Sequence, residues 1–238
     1  VSPHEPGCCT DATASRASDK DYWSCFMADL QELSDLMQRG RAKNVKIMTQ
    51  ELLDAGVSPK KILEESFLSG MNIVGVKFKN NEVFVPEVLI AARAMNAGME
   101  VLKPYLVKDD VEPVGTVVIG TVKGDLHDIG KNLVGMMMKG KGFNVVDLGS
   151  DVTPEKFVEA ARENNAKIIA CSALLTTTMK EMANVVKAVD ASDLKGKVKV
   201  MVGGAPVNDA FCQSIGADKY TPDAASAADA ALELCNSL

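Results

Sequence analysis

The spacing of apolar residues divides the chain into two parts. Between residues 27 and 107 apolar positions recur every three or four residues, as on one face of an amphipathic helix. The first two such stretches stop near Gly40 and Gly56, and the third and fourth open at Pro59 and Pro86. Proline is favoured in the first turn of a helix and glycine after its last turn. The pattern therefore predicts a four-helix bundle with short connections.

The second part, residues 115–238, alternates short apolar runs with amphipathic stretches. Strands are predicted at 116–122, 144–148, 167–173, 199–203 and 218–220, and helices at 129–139, 154–164, 177–190, 207–214 and 224–234. This alternation is typical of a parallel sheet covered by helices on both faces. We therefore expect an α/β domain with a doubly wound, Rossmann-type five-stranded parallel sheet. Its strand order should be flavodoxin-like and its crossovers right-handed.

Two segments lie outside these patterns. Residues 1–26 show no periodicity and are rich in Ser, Ala, Asp and Pro, which predicts a disordered extension. Residues 108–114 are charged and contain a proline, which predicts a linker between a helical domain at 27–107 and an α/β domain at 115–238.

Composition narrows the classes of partner. The chain has 238 residues and a net charge of −6, which argues against nucleic acid or an anionic membrane as a principal partner. No apolar run reaches transmembrane length and no secretory leader is visible, so we expect a soluble, cytoplasmic protein. The six cysteines form no CxxC pair and no Cys/His cluster, so no structural zinc site is expected. Disulfides are not expected in the cytoplasm.

Candidate chemistry is concentrated directly after the first predicted strand. The residues there are Asp125, Leu126, His127, Asp128, Ile129 and Gly130. The carboxyl end of a parallel sheet is where such folds place ligands, and Asp125 is close enough to orient the imidazole of His127 as a metal ligand. Gly130 leaves room at the start of the next helix. The alternative is that Asp125 only caps that helix and His127 is a solvated loop residue.

Two later strands end in small residues. Ser172 and Leu174 follow the third strand, and Gly203 and Gly204 follow the fourth. Because the carboxyl ends of parallel strands share one edge of the sheet, these residues should line a common cleft. A cleft with a small lining suits a large, flat or long ligand.

Together these residues resemble the cobalamin-binding signature of methionine synthase and its relatives, Asp-x-His-x-x-Gly, Ser-x-Leu and Gly-Gly. The resemblance implies cobalamin or a related corrinoid, with His127 replacing the cofactor's benzimidazole as lower ligand of a cobalt that alternates between Co(I) and methyl-Co(III). The displaced nucleotide tail would run past Ser172 and the glycines. It also implies that the hydroxyl of Thr178 bonds Asp125, with Thr176 beside it as a second candidate for that bond or for contact with the tail.

The helical part carries a second resemblance. The turn Phe84-Val85-Pro86, with Leu89 one helical turn further on, is similar to the cap domain that precedes the cobalamin domain in methionine synthase and corrinoid methyl carriers. The resemblance implies that Phe84 and Leu89 cover the upper face of the corrin. Alternatively, both are only core residues of the bundle.

The resemblance implies a methyl carrier of the anaerobic methanol, methylamine, betaine and methoxyarene methyltransferase systems. The stretches 172–179 and 203–207 are most similar to the methylamine and betaine branch. We expect no methyl-donor, folate or reactivation domain in a chain of this length, and hence no catalytic residues and no stand-alone activity. The implied partners are a substrate-specific methyltransferase, an acceptor methyltransferase acting on tetrahydrofolate or coenzyme M, and a reductive activase.

Two other functions use a related signature. An adenosylcobalamin-dependent mutase small subunit shares the His motif but generally lacks a helical cap. A cobalamin-sensing regulator has both domains and adds an N-terminal DNA-binding helix-turn-helix, for which residues 1–24 are too short and insufficiently basic.

Overall fold

A computed structural model describes residues 19–108 and 112–238, with side chains described for 29–106 and 112–238. Residues 1–18, which make up most of the predicted extension and include His4, lie outside the described residues. So does part of the predicted linker at 108–114. The described chain forms a helical bundle followed by an α/β domain, as expected.

The bundle consists of helices of unequal length. They are α1 (Asp19–Gln38), α2 (Ala42–Asp54), α3 (Pro59–Lys61), a π-helical segment (Ile62–Leu68), α4 (Ser69–Lys79) and α5 (Val85–Lys108). The first helix begins at Asp19, inside the stretch 1–26 that was predicted as a disordered extension.

The third predicted helix runs on from α3 through the π-helical segment into α4. The π segment was not predicted, although the fully buried pair Ile62 and Phe67 is spaced by five residues rather than by three or four.

A close approach between helices shapes the bundle interior. A Cβ built on Gly98 of α5 would lie 2.3 Å from Cζ of Phe67 and 2.8 Å from Cγ1 of Val45. The absence of a side chain at Gly98 therefore lets α5 pack directly against α2 and the π-helical segment.

The α/β domain follows the predicted alternation. Its strands are β1 (Thr116–Thr121), β2 (Asn144–Asp147), β3 (Ile168–Ser172), β4 (Lys199–Gly203) and β5 (Lys219–Tyr220). Its helices are α6 (Ile129–Lys139), α7 (Pro154–Glu163), α8 (Met179–Asp190), α9 (Asp209–Ile215) and α10 (Ala224–Asn236). All pairings are parallel and the strand order is β2-β1-β3-β4-β5. The predicted doubly wound sheet and its flavodoxin-like order are confirmed. The predicted bounds of the strands and helices in this domain differ from the observed ones by no more than two residues.

The strand register aligns the ends of the three central strands. Thr121 of β1 pairs with Ser172 of β3, and Ser172 pairs with Gly203 of β4. The residues that follow these strands therefore meet at one edge of the sheet. Successive strands are added on one side of β1 and then on the other, so the strand order reverses between β1 and β3. This is the switch point where such folds bind ligands.

The bundle packs on one face of the α/β domain, against α6 and α10. A Cβ on Gly140, at the end of α6, would lie 2.8 Å from Cβ of Met71, so bundle and α6 are in close contact. Lys141 adds a hydrogen bond across the same junction, to Asn72 of α4 at 2.6 Å, and pairs with Asp229 of α10 within the α/β domain at 2.7 Å. The bundle thus shares a continuous apolar core with this face of the sheet. None of the helices in the described ranges combines the length and apolarity that a membrane span requires.

Two glycine substitutions should have opposite effects on stability. We expect Gly98→Ala to lower the free energy of unfolding by about 1–3 kcal/mol, because its methyl group overlaps Phe67. Gly135→Ala in α6 should raise that free energy by up to about 1 kcal/mol, because its methyl group meets only an ordinary contact at 3.7 Å and alanine favours the helix. Urea unfolding measures both, and equal effects of the two changes would contradict the close packing of α5.

Candidate functional site

The loop between β1 and α6 brings a buried carboxylate to the carboxyl edge of the sheet. Asp125 lies in this loop and has no exposed surface. The residue that precedes the first turn of α6 is Asp128, whose side chain makes no capping hydrogen bond. The alternative that Asp125 serves as a helix cap is therefore wrong.

Both oxygens of Asp125 accept several hydrogen bonds. Oδ1 accepts from the backbone N–H of His127 at 3.0 Å and lies 2.7 Å from its Nδ1. Oδ2 accepts from the backbone N–H of Leu174 at 2.8 Å, from that of Leu175 at 3.2 Å and from Oγ1 of Thr178 at 2.9 Å. The bond from the hydroxyl of Thr178 is the one that the sequence resemblance implied. The carboxylate thus ties the His127 loop to the segment that follows β3.

These hydrogen bonds determine the charge of Asp125. Burial by itself raises the pKa of this carboxyl, but donors on the backbone and ring of His127, the backbone of Leu174 and the hydroxyl of Thr178 outweigh burial. The pKa of Asp125 is therefore held well below its usual range. An ionised carboxylate can only accept hydrogen bonds, so Nδ1 of His127 must carry the proton that it shares with Asp125. In neutral His127 the lone pair is then on Nε2.

The imidazole of His127 stands in an exposed apolar surface. Its side chain is 53% exposed, and its backbone carbonyl accepts a hydrogen bond from Oγ1 of Thr121 at 3.1 Å. Leu126 and Ile129 beside it are 74% and 77% exposed, and Leu174 and Leu175 are also exposed. Large apolar side chains clustered at a surface mark an interaction site, so this surface suits a broad apolar ligand.

A cavity of about 370 Å³ opens between the sheet and helices α6 and α10. Gly130, Ser172, Gly203 and Gly204 contribute to its lining. A Cβ built on Gly130 would meet no atom within 4 Å, so the space that a side chain would fill is open to a ligand. The volume is within the range of small-molecule sites.

Gly204 is required by the backbone rather than by the cavity. Its φ is +133°, and a Cβ there would lie 1.9 Å from the carbonyl oxygen of Ala173. The segment after β4 therefore lies against the segment after β3, which closes this side of the cleft.

The cavity lining also contains Lys131, which was not predicted from the sequence. Its side chain is buried in the cavity wall and Nζ donates to both carboxylate oxygens of Asp147, at 2.5 and 2.6 Å, and to Asn132 at 2.7 Å. The signal was present in the sequence, because Lys131 lies on the same helical face as Gly135 and Met138, which are buried.

The remaining predicted site residues differ in how far their side chains are exposed. Thr176 is exposed in the segment after β3, whereas Thr178 is buried. Phe84 precedes α5 and is 63% exposed, so the alternative that it is bundle core is wrong; Leu89 is half-buried. Among the described residues no hydrogen bond connects Phe84 or Leu89 with the His127 loop.

The donor set around His127 limits the kind of metal that fits. Within 29–106 and 112–238, no group of three or more His, Cys, Asp or Glu side chains could hold a metal ion. A lone imidazole oriented by a carboxylate suits a metal whose other ligands come from a macrocycle. The exposed apolar surface and the adjacent cavity fit such a group.

Comparison with known proteins gives consistent matches. Two family models, both described as B12 binding domains, match residues 115–232 and 29–103. Trimethylamine corrinoid protein 1 of Methanosarcina mazei is 48% identical over 172 residues, which are 71% of this chain and 80% of that protein. The dimethylamine corrinoid protein of Methanosarcina barkeri is 41% identical over 206 residues, which are 86% of this chain and 96% of that protein.

A solved structure is similar over nearly the whole chain. It is the methanol:cobalamin methyltransferase complex MtaBC of Methanosarcina barkeri, in which one chain superposes with a TM-score of 0.80 at 26% identity. The match covers 94% of this chain and 87% of that chain.

The buried carboxylate makes a prediction about acid stability. Since the pKa of Asp125 in the folded protein lies below its usual 3.8, the unfolded chain takes up this proton first as the pH falls. Asp125→Asn should lower the free energy of unfolding of the cofactor-free protein by about 1.5–3 kcal/mol at neutral pH. The difference in free energy of unfolding between the variant and the parent should become smaller below about pH 4, because the parent loses the contribution of the ionised Asp125 there.

Urea unfolding at several pH values checks this, with Asp193→Asn as the control. Asp193 is an exposed partner of Arg162 at 2.6 Å, so its substitution should change stability little. The assignment of an ionised Asp125 would be contradicted if Asp125→Asn and the parent differed in free energy of unfolding by the same amount at every pH down to 2.

Proposed function

The chain belongs to the family of corrinoid proteins built from B12 binding domains, and on that basis we propose that it carries a methyl group between methyltransferases with His127 as the lower ligand of cobalt. The observation that carries the ligand assignment is the Asp125–His127 pair, at 2.7 Å, within an exposed apolar surface beside an open cavity. When bound, the corrinoid supplies a cobalt centre that accepts a methyl group and gives it up again.

In this proposal the protein contributes an oriented imidazole. Asp125 holds the proton on Nδ1 and so leaves the lone pair of Nε2 available to the metal. Because the carboxylate of Asp125 is ionised, it accepts this hydrogen bond and holds the ring in one orientation, whether or not Nε2 ligates a metal. Thr178 and the backbone N–H groups of Leu174 and Leu175 keep that carboxylate fixed in both situations.

The surroundings of His127 divide into two proposed contact regions. The apolar side chains Leu126, Ile129 and Leu174 would lie against the macrocycle, with Asp128 at its edge. The cavity next to them would hold the nucleotide tail against Gly130, Ser172, Gly203 and Gly204, with Thr176 at its exposed margin. Small residues suit this role because they leave the volume of about 370 Å³ open.

We assign the bundle the role of a cover over the opposite face of the macrocycle. Exposure of Phe84, at 63%, supports this role, because a large aromatic side chain outside the bundle core is available to contact a ligand. Leu89 is half-buried and lies four residues after Val85 on the same helix.

The names of the similar proteins support a proposal about partners. They are trimethylamine and dimethylamine corrinoid proteins, and the similar structure is a methanol methyltransferase complex. We therefore propose a methylamine-specific methyltransferase as donor partner and an acceptor methyltransferase acting on coenzyme M or tetrahydrofolate. A reductive activase would restore cobalt that has been oxidised.

The ligand assignment is tested by electron paramagnetic resonance of protein that carries ¹⁵N-labelled histidine and unlabelled cob(II)alamin. If His127 is the lower ligand, the cobalt signal should be split into doublets by one ¹⁵N nucleus. The chain has two histidines, so His4→Gln should keep this doublet and His127→Ala should abolish it. Triplets from the ¹⁴N of benzimidazole in the parent protein would overturn the proposal.

A second prediction concerns the proposed groove. Gly130→Leu should leave the free energy of unfolding within about 1 kcal/mol of the parent, because a Cβ at Gly130 meets no protein atom within 4 Å. Corrinoid affinity should fall about tenfold or more, since the added side chain occupies the cavity. Gly135→Ala, in the same helix but outside the cavity lining, is the matched control and should bind hydroxocobalamin normally in a dialysis titration. Undiminished affinity of Gly130→Leu would place the tail elsewhere.

A further inference from the structure

The loop that follows β2, residues 148–153, is hydrogen-bonded to the end of β1. The carbonyl of Gly149 accepts from the backbone N–H of Thr121 at 2.9 Å, and the N–H of Val152 donates to the carbonyl of Thr121 at 3.0 Å. These two bonds place the intervening residues directly beside the loop that carries His127.

Asp151 makes two bonds to that loop. Its backbone N–H donates to the carbonyl of Asp125 at 3.0 Å, and its Oδ1 accepts from the backbone N–H of Gly124 at 2.7 Å. One residue therefore fixes two peptide groups of the loop before His127, one through the N–H of Gly124 and the other through the carbonyl of Asp125. Asp151 is exposed, is outside the cavity lining and makes no hydrogen bond to the imidazole, so any influence on His127 passes through Gly124 and Asp125.

The backbone at Asp151 is held in an uncommon conformation. Its φ is +57°, in the left-handed region that costs energy for residues other than glycine and is best tolerated by Asn and Asp. Such conformations persist where the surrounding bonds impose them. With this conformation both the N–H and the carboxylate of one residue reach the His127 loop.

The start of the same loop is anchored in the cavity wall. Asp147 accepts from Nζ of Lys131 through both oxygens and from the backbone N–H of Gly149 at 2.9 Å through Oδ1. Lys131 is buried, so this ion pair is shielded on one side from water. The loop that presents Asp151 is therefore fixed at its beginning by Lys131 and at its end by the bond from Val152 to Thr121.

We propose that Asp151 is a positioning residue for His127, which sets the placement of Asp125 and hence the fraction of protein in which the imidazole can ligate the metal. Two sets of hydrogen bonds then fix Asp125. The segment after β3 fixes its carboxylate, and Asp151 fixes its backbone. The inference rests on the proposed function, because it assumes that His127 is the lower ligand.

The test compares Asp151→Gly with Asp151→Asn. Glycine adopts a φ of +57° without strain but removes the acceptor for the N–H of Gly124, whereas asparagine keeps both the conformation and a carbonyl acceptor. The matched control is Asp218→Gly, which removes an acceptor for the backbone N–H of Val200 at 2.8 Å near the opposite edge of the sheet.

Two measurements report on His127. In protein loaded with cob(II)alamin, the ratio of histidine-coupled to uncoupled cobalt signal should fall about fivefold in Asp151→Gly, the factor expected for one lost hydrogen bond. In cofactor-free protein carrying His4→Gln, ¹⁵N NMR at a fixed alkaline pH should show a smaller population of the Nδ1–H tautomer. Asp151→Asn and Asp218→Gly should match the parent in the coupling ratio and in the tautomer population. Asp218→Gly should nevertheless be less stable than the parent.

The outcomes separate the two proposals. Histidine coupling in the parent together with unchanged coupling and tautomer in Asp151→Gly overturns the role of Asp151. Equal losses in Asp151→Gly and Asp218→Gly also overturn it, because the effect is then only one of stability. Benzimidazole coupling in the parent overturns the proposed function instead. The tautomer measurement needs no bound corrinoid, so it decides on Asp151 even if Asp151→Gly loads poorly.

Discussion

The carboxylate of Asp125 is the interaction on which the site depends. A charge without exposed surface is stable only if its lone pairs are satisfied, and here five hydrogen bonds reach its two oxygens. These bonds come from the residues after β1 and from the segment after β3, so one side chain joins two separate loops. The same bonds keep the pKa of Asp125 low and thereby fix the proton of the imidazole on Nδ1. The orientation and the tautomer of His127 therefore share a single cause.

That arrangement is possible because the parallel sheet aligns its strand ends. Thr121, Ser172 and Gly203 are in register across β1, β3 and β4, so the loops that follow them are adjacent although they are far apart in sequence. The lateral spacing of strands is short enough that a single carboxylate spans two loops. The close backbone approach at Gly204 then completes the cleft without adding side-chain volume. A fold with less regular strand ends could not build the site from three such short motifs.

Much of this architecture could be predicted from the sequence. Alternation of apolar runs gave the strands, helices and their parallel order, because each burial pattern has its own period. The bond between Thr178 and Asp125 was also expected. The π-helical segment at Ile62–Leu68 was not, since a single wider turn leaves no composition signal. Lys131 and Asp151 were missed for a different reason. Lys131 lies on the buried face of α6, but its partner Asp147 is on another strand. The partners of Asp151 are on another loop, and an aspartate in a turn is ordinary without knowledge of them.

Helix α6 connects the two parts of the molecule. Its first turn carries Gly130 at the cavity and follows directly from the His127 loop, while its last residues meet Met71 of the bundle next to Gly140. Lys141, just beyond the helix, bonds both the bundle and α10.

A helix of this length is stiff, and the interior of α6 is packed on β1 and β2. Docking of the bundle and placement of the His127 loop are therefore set by opposite ends of one rigid element. A displacement of the bundle relative to the sheet must break apolar contacts around Met71 and the hydrogen bond from Lys141 to Asn72. It leaves the hydrogen bonds of Asp125 intact, because none of them involves the bundle.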